Sequence, residues 1–160
     1  MNCKPVFVFL FVLFLFSVAG CKPDSASLMA AVKADNAGEA LSLIGKGADA
    51  NSRSSPNGWS ALHYAARAGN VEIVQALLNA GADPNYAGSM DGKADSAAVL
   101  KPFPLAKGML EVVSQVQPSQ MEATLRANGL DDPALMKSAT DPNAAARYQK
   151  VVDLLAKVTK

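Results

Sequence analysis

The chain has 160 residues, 50% of them hydrophobic, with 15 basic and 14 acidic side chains. That length suits one modest domain, and so small a net charge gives no electrostatic case for binding nucleic acid or an anionic membrane patch. Its single histidine, without cysteine partners, excludes a zinc site.

The N-terminus reads as a processing signal. Lys4 precedes the apolar run Val6 to Phe16, which has the length of a signal-peptide h-region and is too short to span a bilayer. The tetrad Val18-Ala19-Gly20-Cys21 follows and resembles a bacterial lipobox. The resemblance implies cleavage after residue 20 and lipidation of Cys21. Cys3 leaves with the leader and Cys21 is acylated, so neither a disulfide nor a reactive thiol is expected. Loss of Lys4 lowers the basic count from 15 to 14, equal to the 14 acidic residues. Five of the six phenylalanines leave too, so the mature core has to be built from Ala, Leu, Val and Met. Residues 21–26 form a polar tether, at most roughly 20 Å long. Lys22 stands where enterobacterial lipoproteins of the inner membrane carry Asp, and resemblance to those sorting rules implies, for a Gram-negative source, an outer membrane with the folded part facing the periplasm.

From Ser27 the chain repeats at an offset of 34: Leu28 falls on Leu62, Ala31 on Ala65, Asn36 on Asn70, and Gly47-Ala48-Asp49 on Gly81-Ala82-Asp83. The second copy is the clearer. Its helices are predicted at Ala61 to Ala68, N-capped by Ser60 and stopped by Gly69, and at Val71 to Asn79, capped by Asn70 and stopped by Gly81. Val71, Val74, Leu77 and Leu78 make an apolar stripe on the second.

Gly58, Leu62, His63, Ala65, Ala66, Gly69, Glu72, Val74, Leu77, Leu78, Gly81, Ala82, Asp83 and Asn85 together resemble the ankyrin repeat, whose period is near 33. Asn57, Ser60, Ala61, Asn70, Ile73 and Pro84 depart from that pattern, mostly conservatively. The first copy replaces the inter-helix glycine with Asp35 and the histidine with Met29, as an N-terminal capping repeat often does. The resemblance implies an all-α ankyrin-repeat solenoid of three to four helix-pair repeats over residues 27–160: 27–55, 56–88, an irregular 89–130 and a degenerate cap at 131–158.

After Asn85 the pattern blurs. Asp91-Gly92 restarts it, and Gly108 to Val113 echoes Gly69 to Val74 with the spacing grown by five. The reading therefore places an insertion near Ala94 to Pro104, distorting a helix in which Pro102 and Pro104 forbid a regular interior. A capping box at Ser119 and Glu122 opens another helix that stops at Asn128-Gly129. Asp132-Pro133 and Asp141-Pro142 each put an N-cap before an N1 proline, and the last helix ends near Val158.

Catalytic chemistry is not visible: there is no nucleophile elbow, no H-E-x-x-H and no phosphate-binding glycine loop. The stretch from Asp49 to Ser60 lacks the closing Glu of a calcium loop. No enzyme activity, cofactor, metal or small-molecule substrate is expected. The resemblance assigns His63 a structural hydrogen bond and implies a protein partner, met by the projecting turns and inner helix row at Arg53, Asn57, Trp59, Arg67 and Tyr86. Lys33 also falls on that row, whereas Tyr64 reads as core. Trp59 reads either as an exposed anchor or as a ring covering a neighbouring turn. Two other roles fit the same sequence: an immunity-type inhibitor of a toxin or enzyme, and a structural envelope component.

Overall fold

The computed structural model describes residues 24–54, 57–89 and 99–159. The leader, Cys21 and the Asp91-Gly92 restart lie outside the described residues.

Helices α1 (Ser25–Lys33) and α2 (Ala37–Gly45) form the first pair, and α3 (Ala61–Ala68) and α4 (Val71–Asn79) the second. Each begins where a short polar side chain can take up orphan amides. Asp24 accepts from Ala26 N–H at 3.2 Å, Asn36 from Glu39 N–H at 3.3 Å and Asn70 from Ile73 N–H at 3.0 Å. At Ser60 the cap is reciprocal, with the His63 ring taking the Ser60 backbone N–H. The turn between α1 and α2 puts Asp35 at φ 53°, and the turn between α3 and α4 puts Gly69 at φ 67°. The same left-handed step is therefore made by two different residues at the predicted offset.

The repeat register is carried by two asparagines and two aspartates. Asp49 accepts from Asn51 N–H at 2.9 Å, and Asp83 repeats this with Asn85 N–H at 2.9 Å. Asn51 then reaches across to the next repeat, donating to Gly81 O at 3.1 Å and accepting from Asp83 N–H at 2.9 Å. Its counterpart Asn85 has a buried Oδ1 with no donor among the described residues, so the asparagine ladder stops there.

The C-terminal half is arranged differently from the linear reading. Strands β1 (Gly88–Ser89) and β2 (Val99–Leu100) pair antiparallel and correspond to the Arg53–Ser60 bridge of the preceding finger. Both strands thus belong to a finger, and the next helix starts only after β2. Helix α5 (Pro102–Gln115) starts immediately afterwards. Its prolines occupy the first turn, where amides have no intrahelical acceptor, so they open the helix instead of breaking it. Gly108 lies inside α5 and marks no turn.

Helices α6 (Pro118–Ala127), α7 (Pro133–Ala139) and α8 (Ala144–Val158) follow. Pro118 is the first residue of α6, one before the expected capping box, and Ser119 makes no cap. Asp132 caps α7 as read, accepting from Ala134 N–H at 3.0 Å. Asp141 instead caps a turn, accepting from Asn143 N–H at 2.7 Å, and α8 begins at Ala144.

α5 packs on α3, and α8 packs on both α5 and α4. The third helix pair is therefore α5 with α8, and α6 and α7 are inserted between its two halves. The divisions 89–130 and 131–158 do not follow this packing. An inner row of α1, α3 and α5 backs onto an outer row of α2, α4 and α8, with a main core that includes Leu28, Leu62, Ile73, Leu77, Val151 and Leu155. A second core under the insertion contains Met109, Met121, Leu125, Leu135 and Tyr148.

Candidate binding face

The five residues singled out from sequence lie in one network on the inner row and its fingers. Asn57 Nδ2 sits 3.2 Å from the Tyr64 hydroxyl, and Asn57 Oδ1 accepts from Trp59 N–H at 3.2 Å. The Arg53 guanidinium lies 4.1 Å from the centre of the Tyr86 ring, and Arg67 lies 5.7 Å from Trp59 and 5.6 Å from Tyr64. Lys33 adds a third cation, 5.0 Å from the Tyr64 ring, with its ammonium donating to Ser54 Oγ at 2.6 Å. Cations over ring faces gain about 0.5–1 kcal/mol each at exposed sites, which holds these long side chains against the surface.

Trp59 is not a projecting anchor. It is half-buried, its indole N–H donates to Ser89 O at 2.7 Å, and its ring stacks on His63 at 5.7 Å. The second finger closes over it so tightly that a Cβ on Gly88 would stand 2.7 Å from Trp59 Cδ1. Of the two readings of this residue, the ring covering a neighbouring turn describes the geometry. Tyr64, read as core, is half-buried and lines an open hollow with Lys33 and Lys137.

His63 is fully buried beneath this network. Nδ1 accepts from Ser60 N–H at 3.2 Å, so the proton is on Nε2, which donates to Leu100 O at 2.8 Å. Burial lowers its pKa from 6.5, the Leu100 carbonyl opposing this more weakly. The ring ties α3 to the next finger, as the resemblance implied.

Sequence reasoning missed the far wall of the face. Asp132, at the start of α7, pairs with Arg67, their side chains 27% and 16% exposed. Ser138 in α7 donates to Ala68 O, and Tyr148 in α8 donates to Arg67 O at 2.6 Å. The last carbonyls of α3 are thus capped by side chains from some 70 and 81 positions away along the chain. No local signal announces such contacts. Burial pushes the Tyr148 phenol up to about 12, so it remains a donor throughout the neutral range.

A model of the family "Ankyrin repeats (3 copies)" matches residues 9–88, half of the chain. The chain belongs to the ankyrin-repeat family. This ankyrin domain is similar to part of the 2-5A-dependent ribonuclease of Mus musculus, 45% identical over 62 residues, which are 39% of this chain and 8% of that protein. It is also 50% identical over 60 residues to the mitochondrial disaggregase of Bos taurus, covering 38% of this chain and 9% of the relative. The ankyrin-repeat protein thus spans less than a tenth of the length of these relatives. The ankyrin-repeat domain is a non-catalytic protein-interaction fold. Among the described residues no cluster of His, Cys, Asp or Glu is arranged to hold a metal, and no helix is long and apolar enough to cross a membrane.

Proposed function

We propose that this protein is a lipid-anchored ankyrin stack of the bacterial cell envelope that binds another protein through its inner row and fingers. The observation that carries the binding role is the network of Lys33, Arg53, Tyr64, Arg67 and Tyr86, which assembles polar and aromatic side chains from two repeats on one continuous face. Arginine and aromatic residues held in place lose little rotamer freedom on association, and they are the types that dominate protein–protein affinity. The lipobox-like tetrad ending at Cys21 and the apolar run before it support the anchor, and Lys22 supports an outer membrane facing the periplasm. Lipid mass on a peptide beginning at Cys21 tests that part.

The binding role is tested by passing detergent-solubilised envelopes over the immobilised full chain and over its Arg53→Glu variant. Arg53 is exposed and lies on no core cluster, so the substitution is expected to cost no more than its Tyr86 contact, about 0.5–1 kcal/mol, while abolishing retention of the partner. Equal retention by the variant would exclude this face. Retention no better than on blank resin would exclude the binding role.

A further inference from the structure

The inner face is not an open row of helices, because the inserted α7 stands against it. Two hollows result. One, of about 440 Å³, runs between the start of α1 and the first finger, where Arg53 and Ser54 line it. The other, of about 700 Å³, lies between α1, Tyr64 and α7, where Pro133, Ala134 and Lys137 form the wall. Both are lined by Ala30 and Lys33, so the two hollows adjoin at Lys33 and are taken together as one groove.

The charges along this groove do not balance. Arg53, Lys33, Arg67 and Lys137 face Asp24 and Asp132. Asp132 is spent on Arg67 and on capping α7, and Asp24 accepts the Ala26 amide at the head of α1. Lys33, Arg53 and Lys137 are exposed and enter no ion pair among the described residues. By contrast, the outer groove between α4 and α8 sets Glu72 and Asp153 against Lys150 and Lys157, and its charge favours no occupant. The inner groove's ring faces are already covered by its own cations, and the Trp59 N–H is committed to Ser89. Bases therefore have no open ring to stack on, which argues against single-stranded nucleic acid.

From this we infer that the groove between the inner row and the inserted helix α7 takes an acidic segment of the partner protein, its carboxylates meeting Arg53, Lys33 and Lys137 in turn. The inference rests on the protein-binding reading and names the chemistry of the partner. Its apolar floor of Ala30, Ala34 and Ala134 suits an extended chain with small residues between the acids.

The test uses the full chain in non-ionic detergent and a short fluorescein-labelled poly-glutamate peptide, with poly-lysine and oligothymidylate of similar length as controls. Fluorescence anisotropy is expected to show binding of poly-glutamate alone, weakened by salt because the contacts are rim charges. Lys33→Glu with Lys137→Glu should weaken it by at least about tenfold, as expected for reversing two steering charges. A melting curve unchanged in the Lys137→Glu single variant separates this effect from misfolding. No binding of poly-glutamate, the same affinity in the double variant, or tighter binding of oligothymidylate overturns the inference. If poly-glutamate fails while Arg53→Glu still abolishes partner retention, the acidic preference alone falls. If both fail, the binding face itself is wrong.

Discussion

Asp35 and Gly69 occupy the same place in two successive repeats, and they show how one backbone step is constrained in two ways. Asp35 holds φ 53°, a conformation short polar side chains tolerate better than most, and its carboxylate accepts from Asn70 Nδ2 of the next repeat at 2.8 Å. Gly69 has no such latitude, because a Cβ there would stand 2.8 Å from the Tyr148 ring. Gly69→Ala is therefore expected to cost about 2–4 kcal/mol, combining the left-handed penalty with overpacking. Asp35→Gly should be close to neutral, relief of the backbone offsetting the lost hydrogen bond. Chemical denaturation of the two variants checks the contrast, and equal costs would mean that Tyr148 is not seated under the turn. His63 makes a second residue-scale test. Its folded pKa lies below the unfolded 6.5, so on acidification the unfolded chain takes up a proton that the folded chain refuses. Stability is complete above pH 6.5 and falls as the pH drops toward the folded pKa. His63 is the chain's one histidine, so a decline in melting temperature between about pH 7 and about pH 5.5 should vanish in a His63→Gln variant. A flat profile in the wild type would show that the ring is not buried neutral.

At the scale of elements, the two cores are expected to respond separately. Leu77 is fully buried in the core shared by the repeats, whereas Leu135 is 1% exposed in the core beneath α6 and α7. Either leucine cut to alanine should cost about 2–5 kcal/mol through the cavity left behind. Leu77→Ala should lower protection against hydrogen exchange in α1 to α4 together. Leu135→Ala should lower it first in α6 and α7, since those helices have fewer neighbours to share the loss. Uniform loss in both variants would merge the two cores into one. This division also explains what was legible. α1 to α4 follow from caps, glycines and apolar stripes within ten residues of one another, so Ser60, Asn70 and Gly69 were readable without a fold. The third pair was not, because its halves α5 and α8 are separated by the insertion and its Gly108 resembles a turn while lying mid-helix. On the candidate face, the placing of Arg53, Asn57, Arg67 and Tyr86 together was readable from register. Asp132 and Lys137 were not, because only tertiary packing brings α7 to α3.

At the scale of the whole molecule, the stack ends in a pair that the chain completes last. In a linear solenoid each repeat contacts only its neighbours, so removing a terminal repeat shortens the stack and leaves the rest folded. Residues 131–158, read as a degenerate cap, would then be dispensable. The packing implies the opposite. α8 supplies Val151 and Leu155 to the main core and Tyr148 to the carbonyls of α3, and it covers both α4 and α5. A chain stopped before Ala144 loses the partner of α5 and uncovers one side of α4. Three large fully buried side chains leave with α8, each worth roughly 1.5–3 kcal/mol of burial. Against a total stability of about 5–15 kcal/mol, that loss is expected to abolish the cooperative transition. Circular dichroism of the truncated chain should show reduced helix content and a broad melt. A sharp, two-state melt retained after truncation would mean that α8 is a peripheral cap and that α5 closes the stack alone.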